Sequence, residues 1–287
     1  MKPGGILLID KPEGISSFAV VRKLRKITGI RKIGHAGTLD PFASGLLVMC
    51  LGFATRIAAR LLLDDKTYVV KMKMGITTDT GDLTGEITNT AEPPVLTEDK
   101  LTETVKTILQ ISEQTPPRYS AVKVGGRRAY QLARNNQDFT LQPRSVEIKN
   151  FIFTSREADV LEYLATVSKG TYIRVLSETI AGLLGTQGVT TYLRRIQAGS
   201  FRVEDAILPE LLTEKNWQER LISLEAVFAS EKRIDLLAAE AEDFLEGRTV
   251  PVHLDGQSEI AVFQSDLRFL GFGRIRDGIL FPKTVLK

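Results

Sequence analysis

The sequence predicts an α+β protein with two domains. Short apolar or alternating runs that are typical of strands recur along the first 230 residues, and amphipathic stretches that are typical of helices separate them. Beyond residue 230, several short strand-like runs follow one another closely, a spacing that favours a small β-barrel. We therefore expect one large domain over residues 1–230 and a small domain over residues 231–287.

The strands are predicted from runs of consecutive apolar residues or from runs in which apolar and polar residues alternate. Runs that are wholly apolar but too short to span a membrane indicate buried strands, and alternating runs rich in strand formers indicate half-buried ones. One alternating run places Tyr68 near the start of a strand. The predicted strands cover residues 5–9, 46–51, 66–75, 146–153, 160–167, a stretch that begins at 191, and then 260–263, 269–275 and 279–286.

The first helix is predicted after Ser16 or Ser17, because either side chain can cap its N-terminus. Its buried face would carry Phe18, Val21, Leu24 and Ile27, with Gly29 as the stop. Similar patterns predict further helices at residues 55–63, 97–111, 209–228 (mainly helical) and 236–246, and one that carries Leu176, Ile180 and Leu183 up to a stop at Gly185.

The composition excludes several classes of protein. With 43% hydrophobic and 25% charged residues, the 287-residue chain is not disordered. Its single cysteine, Cys50, excludes an internal disulfide framework and suits a reducing compartment. The apolar run at residues 5–9 is too short for the core of a signal peptide. We expect a cytoplasmic protein.

No metal or cofactor is expected from the residues present. Two histidines and one cysteine, scattered along the chain, cannot build a zinc site of the usual kinds. Neither of the common phosphate-binding glycine motifs of nucleotide cofactors occurs. The stretch DTGDLTGE at residues 79–86 resembles a calcium loop only superficially, because the acids lack the required spacing, and a polar turn is the better prediction.

Residues 33–53 place one acid, Asp40, between a glycine-containing approach and an apolar strand. Gly34 and Gly37 permit backbone conformations that other residues avoid, and Pro41 disfavours helical geometry at Asp40. An acid on a loop that enters a core strand suits a catalytic group. An isolated Asp-Pro pair is more often a plain turn, so the stretch alone leaves both interpretations open.

Basic residues concentrate in two acid-free clusters, although the net charge is only +3. The first cluster comprises Arg22, Lys23, Arg25, Lys26, Arg31 and Lys32. The second comprises Arg118, Lys123, Arg127, Arg128 and Arg134, interleaved with Tyr119 and Tyr130. Basic and aromatic side chains together favour RNA over a merely solvated surface. A turn that carries Lys169, Tyr172 and Arg174 into a helix adds a predicted anion site.

Several separated blocks resemble, in the family's order, the tRNA pseudouridine synthase B (TruB) family. The blocks are GILLIDKPEGISS, GHAGTLDPFASGLL, DKTYVVKMKMGITTDTGDLTGE, PPRYSAVKVGGRRAYQLAR, SKGTYIRVL and TYLRRIQAGSF. The resemblance implies a pseudouridine synthase catalytic domain, built on a mixed, mainly antiparallel sheet with flanking helices. It also implies a basic, RNA-gripping insertion at about residues 115–145 and a small PUA-like β-barrel at the C-terminus.

The implied reaction is isomerisation of uridine to pseudouridine in tRNA, most often at position 55 of the T loop. Asp40 matches the family's nucleophile, and the sequence leaves open whether it attacks the sugar or the base or assists proton removal. The base leaves and returns, so no cofactor is consumed. Arg174 is expected to face Asp40, where an adjacent cation favours a carboxylate. Tyr68 is expected to stack on the flipped base.

The resemblance to the family also implies which other residues contact the substrate. His35, Tyr172 and Leu193 would line the pocket, while Lys11 and Lys169 would support it or contact phosphate. The RNA backbone would meet Arg118, Lys123, Arg127, Arg128 and Arg134. The resemblance further implies a monomer that needs no protein partner and no membrane.

Two alternatives to the stand-alone enzyme remain. An RNA-guided relative is disfavoured by the intact insertion and the brief C-terminal domain. A non-catalytic RNA-binding or RNA-folding protein is disfavoured by Asp40, Tyr68 and Arg174, because binding alone has no need of a carboxylate beside phosphates.

Overall fold

The computed structural model describes residues 4–254 and 259–286, so residues 1–3, 255–258 and 287 of the two predicted domains lie outside it. Its strands are β1 (Gly5–Lys11), β2 (Ile33–His35), β3 (Ser44–Leu51), β4 (Lys66–Met74), β5 (Ile76–Thr78), β6 (Ile87–Thr90), β7 (Glu113–Gln114), β8 (Lys123–Val124), β9 (Arg127–Arg128), β10 (Arg144–Ser145), β11 (Ile148–Glu157), β12 (Val160–Val167), β13 (Gly188–Ala198), β14 (Phe201–Arg202), β15 (Arg233–Leu236), β16 (Val250–Pro251), β17 (Glu259–Gln264), β18 (Phe269–Arg276) and β19 (Ile279–Val285).

The helices are α1 (Ser17–Thr28), α2 (Ala58–Leu61), α3 (Glu98–Ile108), α4 (Ala129–Arg134), α5 (Ile173–Leu183), α6 (Leu224–Val227) and α7 (Ala238–Leu245). Short 3-10 turns lie at Gly52–Arg56, Val203–Asp205 and Trp217–Arg220. In the part of the chain that the structure describes, no helix has the length and apolar content needed to cross a membrane.

The large domain is organised on one sheet with the strand order β1-β3-β13-β4-β12-β11, to which β2 and β14 add at the sides. Neighbouring strands are antiparallel, apart from a short parallel contact between β13 and β3. The predicted mixed, mainly antiparallel sheet is therefore confirmed. The parallel contact pairs Arg195 with Gly45, so β13 runs directly beside the end of the Asp40 loop.

Each face of this sheet packs into its own core. On one face, Leu24 of α1, Ile108 of α3 and Leu176 of α5 share a cluster with Tyr68 of β4. On the other face, apolar side chains of β1 and β3 join residues of the small domain, of which Phe272 is one. The helical face therefore carries the predicted active-site tyrosine, and the opposite face anchors the C-terminal domain.

The small domain is a five-stranded sheet with the order β15-β17-β18-β19-β16 and one helix, α7. This arrangement agrees with the predicted PUA-like barrel. Arg60 of the large domain reaches across to it, with nitrogens 2.7 Å from Glu231 and 2.6 Å from Glu259. Its guanidinium also lies 4.0 Å from the ring centre of Phe272, so one arginine links the two domains by charge and by stacking.

Some details of the sequence prediction were wrong. Phe18 is 59% exposed rather than buried, because α1 turns Ser17, Val20, Val21 and Leu24 towards the core. Residues 209–228 are not mainly helical, because they hold only the 3-10 turn at Trp217–Arg220 and the single turn of α6, and the rest is turns and irregular structure. Ile222 pairs with Ile6 of β1 through two backbone hydrogen bonds of 2.8 Å, which a helix could not supply. The helix predicted at residues 55–63 is reduced to a 3-10 turn and the single turn of α2.

Candidate active site

The loop that carries Asp40 joins β2 to β3 and is fixed at its midpoint by α1. The Ser17 hydroxyl donates to the Leu39 carbonyl at 3.0 Å and accepts from the Leu39 amide at 2.9 Å. Ser16 caps α1 by accepting from the Ala19 amide at 3.1 Å, a contact that is worth about 1 kcal/mol to a helix. Asp40 follows this anchor with its side chain 38% exposed.

Arg174 holds the Asp40 carboxylate from the first turn of α5. Its Nε donates to Asp40 Oδ2 at 2.9 Å, and its side chain is only 5% exposed. The other guanidinium nitrogens donate to two carbonyls, with Nη1 on Thr80 and Nη2 on Tyr119 at 3.0 Å. Because each nitrogen has an acceptor, the guanidinium is held in one orientation.

The polar turn at residues 79–86 organises the far side of Arg174. The buried Asp82 accepts at Oδ1 from the Thr84 amide at 2.9 Å and from the Thr80 hydroxyl at 3.0 Å. Its second oxygen lies 3.8 Å from Arg174 Nη1. Sequence reasoning assigned no role in the site to Thr80 or Asp82. The three acids of DTGDLTGE, which lack the spacing of a calcium loop, were the available signal.

Tyr68 and Leu193 lie on the neighbouring strands β4 and β13, of which β13 pairs with the end of the Asp40 loop. Tyr68 is 9% exposed and pairs in register with Arg195 of β13, while Leu193 is 5% exposed and pairs with Val70. Both side chains belong to the core on the helical face of the sheet.

Tyr172 stands at the entrance of α5, two residues before Arg174. Gln114 fixes its backbone with two bonds, accepting from the Tyr172 amide at 2.7 Å and donating to its carbonyl at 3.1 Å. Burial raises the pKa of the Tyr172 phenol, and the negative charge of Asp40 also raises it. The phenol is therefore neutral at physiological pH and lies within the electrostatic reach of Asp40.

Lys11 supports the Asp40 loop from inside the protein. Its side chain is fully buried, and Nζ donates to the carbonyls of Pro12 at 2.9 Å, Ile15 at 2.8 Å and Pro41 at 3.3 Å. Burial lowers the pKa of Lys11 to about 8. Of the two roles expected for this lysine, the geometry favours support over contact with phosphate.

His35 ends β2 just before the Asp40 loop, and Lys169 lies on the turn before α5. His35 of β2 is half-buried, and its Nδ1 is buried without a hydrogen-bond partner in the described structure. Burial and the neighbouring Arg195 lower the pKa of His35, so the imidazole is neutral at pH 7. Lys169 is exposed on the turn before α5, and its charge contributes to lowering the pKa of Lys66.

The basic insertion is an exposed β-hairpin followed by α4. Arg118, Lys123, Arg127, Arg128 and Arg134 are all exposed. The hairpin joins β8 to β9 through Gly125 and Gly126, whose φ values of 56° and 85° suit glycine. Its base is tied to the site, because the Tyr119 hydroxyl donates to Asp79 Oδ2 at 3.1 Å and the Tyr119 carbonyl accepts from Arg174.

Arg195 was missed by sequence reasoning. Only 1% of it is exposed, and its guanidinium donates to the carbonyls of Leu46 and Gly37. Its neighbour Arg194 faces the other way and pairs with both carboxylate oxygens of Asp10, at 3.0 and 2.7 Å. Alternation along a strand was the available signal, since one arginine of an adjacent pair must point inward.

The described residues contain no group of three or more His, Cys, Asp or Glu side chains that could hold a metal ion. The site combines one part-exposed carboxylate with a fixed cation, buried apolar side chains and a neighbouring phenol.

The family of the chain follows from comparison with known proteins. The model for the TruB family pseudouridylate synthase (N terminal domain) matches residues 25–173, and that for pseudouridine synthase II TruB, C-terminal, matches residues 233–286. The tRNA pseudouridine synthase B of Dechloromonas aromatica (strain RCB) is 37% identical over 99% of this chain and 95% of its own length. The chain belongs to the TruB family of pseudouridine synthases. It is accordingly an isomerase.

Two further comparisons agree with this assignment. The tRNA pseudouridine synthase B of Aquifex aeolicus (strain VF5) is 36% identical over 98% of this chain and 99% of its own length. A chain from the structure of an H/ACA ribonucleoprotein bound to a substrate RNA containing 2'-deoxyuridine has a TM-score of 0.73 at 20% identity, covering 99% of this chain and 85% of that one. At this identity the second comparison shows the shared TruB-like fold alone.

Proposed function

We propose that this chain isomerises a uridine of tRNA to pseudouridine, at position 55 of the T loop, with Asp40 as the nucleophile. The observation that carries the proposal is the pair formed by the buried Arg174 and the part-exposed Asp40, with 2.9 Å between Nε and Oδ2. The cation keeps the carboxylate pointed in one direction without removing it from contact with solvent or substrate. A nucleophile needs both properties.

The target base must leave its loop before it can react. Flipping a nucleotide out of a stacked RNA loop costs a few kcal/mol, which contacts in the pocket have to offset. Tyr68 would supply stacking for the flipped uracil, and Leu193 would add apolar contact beside it. His35 and Tyr172, both neutral at physiological pH, would border the same pocket without adding charge.

The reaction needs one bond broken, one bond formed and one proton moved. The bond between N1 and C1′ breaks, the uracil turns and C5 bonds to C1′. C5 then loses its proton and N1 gains one, either the same proton or one from solvent, so the product is an isomer of the substrate. Asp40 would assist either by adding covalently to the sugar or base and then leaving, or by removing a proton from the sugar. Arg174 would hold Asp40 throughout, and no cofactor is consumed in any of these routes.

The RNA outside the pocket would be held by charge. The exposed basic side chains of the insertion would contact phosphates around the flipped nucleotide, with Tyr119 linking the insertion to Arg174. Lys169 would contact phosphate on the side of the pocket nearest α5. The protein would act as a monomer without an obligatory partner, in the cytoplasm, where tRNA is found.

Release of tritium from RNA labelled at uridine C5 tests this proposal. We expect release from a tRNA transcript and from an isolated T-arm hairpin, in both cases without added RNA or protein. A transcript with cytidine at position 55 should release none. Release that requires a guide RNA would favour the RNA-guided alternative, and tight RNA binding without any release would favour a binding or folding protein.

A further inference from the structure

Arg195 lies buried beneath the loop that carries Asp40 and holds both ends of it. Its Nε donates to the Leu46 carbonyl at 2.7 Å, and its Nη2 donates to the Gly37 carbonyl at 3.1 Å. Gly37 precedes Asp40 by three residues, and Leu46 follows it by six. One guanidinium edge therefore spans the loop from its start to the strand that it enters.

The backbone of Arg195 makes a third connection to the same loop. In the parallel contact of β13 with β3, Arg195 pairs with Gly45, which has φ 99°. A Cβ placed on Gly45 would lie 2.3 Å from the Arg195 carbonyl oxygen. The strands β3 and β13 therefore lie too close together at this point for any residue with a side chain. On its other side, Arg195 pairs in register with Tyr68 of β4.

Arg195 is thus the residue that joins the loop of Asp40 to the strand of Tyr68. Side chain and backbone together fix the loop, while the β13–β4 ladder fixes Tyr68 relative to the same residue. A shift of Arg195 would change the position of the carboxylate relative to the ring on which the base is expected to stack. Misplacement of reacting groups by about 1 Å can cost about 100-fold in rate.

Stability alone does not explain an arginine at this position. The side chain is 1% exposed, and no carboxylate forms a salt bridge with it in the described part of the chain. Taking a charged group out of water costs several kcal/mol, and an apolar side chain of similar volume is often as good or better for stability. Burial is the largest cause of the lowered pKa values of Lys11, His35 and Lys66, and the charge of Arg195 lowers all three further.

We propose that Arg195 is a positioning residue for the isomerisation, whose guanidinium sets the position of Asp40 relative to Tyr68 by holding Gly37 and Leu46. The inference rests on the proposed function, since it assigns to Arg195 the geometry that this reaction requires. Arginine is required because one planar edge presents two donors in a fixed spacing, which the single nitrogen of lysine cannot reproduce.

The test compares Arg195→Met and Arg195→Lys with Arg194→Met. The last variant removes an arginine from the adjacent position of β13, where it pairs with Asp10 instead of the loop. For each variant we would measure circular dichroism, the melting temperature, the Kd for a T-arm hairpin RNA and the single-turnover rate of tritium release at saturating RNA.

We expect Arg195→Met to lose roughly 100-fold or more in single-turnover rate while its RNA affinity stays near that of the wild type. Arg195→Lys keeps the charge but loses the planar edge with its two donors, so this variant should also react more slowly than the wild type. Arg194→Met should react at the wild-type rate. A role in folding alone would lower the melting temperature and leave the rate of the folded protein unchanged.

Each other outcome contradicts the inference. A folded Arg195→Met that reacts at the wild-type rate would overturn it. So would an RNA affinity that falls in step with the rate, which would make Arg195 a binding residue. If Arg195→Met fails to fold, a folded Arg195→Lys that reacts at the wild-type rate would overturn the requirement for a planar edge with two donors. If neither variant folds, Arg195 is a folding residue. A wild-type chain that releases no tritium would instead contradict the proposed function.

Discussion

At the scale of single residues, the central feature is a carboxylate whose direction is set by a buried arginine. Arg174 contacts Asp40 on the loop after β2, Thr80 on the polar turn and Tyr119 at the base of the insertion. It therefore connects three segments that are distant in sequence. The Asp40 carboxylate, the polar turn and the base of the insertion therefore share one cation.

Arg174→Ala should bind RNA but lose most turnover. The variant leaves Asp40 without its 2.9 Å partner, and the buried Asp82 loses its nearest cation, at 3.8 Å. We expect single-turnover tritium release to fall by about 100-fold or more, with the RNA Kd close to the wild-type value by filter binding. Wild-type single-turnover rates in a folded Arg174→Ala variant would exclude the role given to this arginine.

A second residue-scale prediction concerns pH and Lys66. Burial lowers the pKa of Lys66 from 10.5 to about 8. Its Nζ donates hydrogen bonds to the carbonyls of Leu62 and Asp64. Between these two pH values the unfolded chain binds more protons at this site than the folded protein does, so the contribution of Lys66 to stability rises with pH. The destabilising effect of its burial is complete below about pH 8.

Urea unfolding of the wild type and of Lys66→Met from pH 7 to 10.5 would check whether the contribution of Lys66 to stability rises with pH. The wild type should gain free energy of unfolding relative to Lys66→Met as pH rises through this range. Lys106→Met, which removes an exposed lysine of α3, controls for the loss of one positive charge. Parallel pH curves for the wild type and Lys66→Met would contradict the prediction.

At the scale of elements, the basic hairpin is expected to set how RNA affinity responds to salt. Each phosphate neutralised by a basic side chain steepens the plot of log affinity against log salt by roughly 0.7 to 0.9. Replacing Lys123, Arg127 and Arg128 with alanine should weaken binding and flatten this slope, because all three side chains are exposed on the hairpin.

The matched control replaces three lysines that are exposed outside the hairpin, Lys106, Lys215 and Lys232, and should leave the slope nearly unchanged. At saturating RNA, the hairpin variant should still isomerise at close to the wild-type rate, since Tyr119 and Arg174 are intact. A wild-type affinity that does not change with salt would argue against the whole role of the insertion.

The elements were predictable from sequence to different degrees for physical reasons. The strands at residues 66–74 and 160–167 have strong local patterns, and the structure confirms them. The helix predicted at residues 209–228 failed because pairing of Ile222 with Ile6 overrides local preference. At the site, contiguous motifs identified Asp40 and Arg174, whereas Asp82 and Arg195 act through contacts that cross the fold and leave only weak local signals.

At the scale of the whole molecule, the two domains share one apolar core. Phe263, Phe269 and Phe272 of the small domain belong to the same cluster as strands β1 and β3 of the large one. Arg60 adds the charged link to Glu231 and Glu259. Ala36, four residues before Asp40, belongs to this cluster too, so the cluster extends from the small domain to the segment from which the Asp40 loop leaves.

This shared core predicts that the domains unfold together. Chemical unfolding followed by circular dichroism and by the fluorescence of Trp217, which lies in the large domain, should give one coincident transition. Arg60→Ala should lower the midpoint of that transition without splitting it, because the phenylalanine cluster remains. Two separate transitions in the wild type would show that the domains are held together more weakly than this packing indicates.

The most direct test of the account is the Asp40→Asn variant, which keeps the shape of the side chain and removes its negative charge. Its RNA affinity should match the wild type, while pseudouridine formation in a single turnover should fall below detection over hours. Because the substitution is nearly isosteric, a change in fold would not account for the loss. Pseudouridine formed by Asp40→Asn within about tenfold of the wild-type rate would contradict the account, since a tenfold change corresponds to only about 1.4 kcal/mol of the activation barrier.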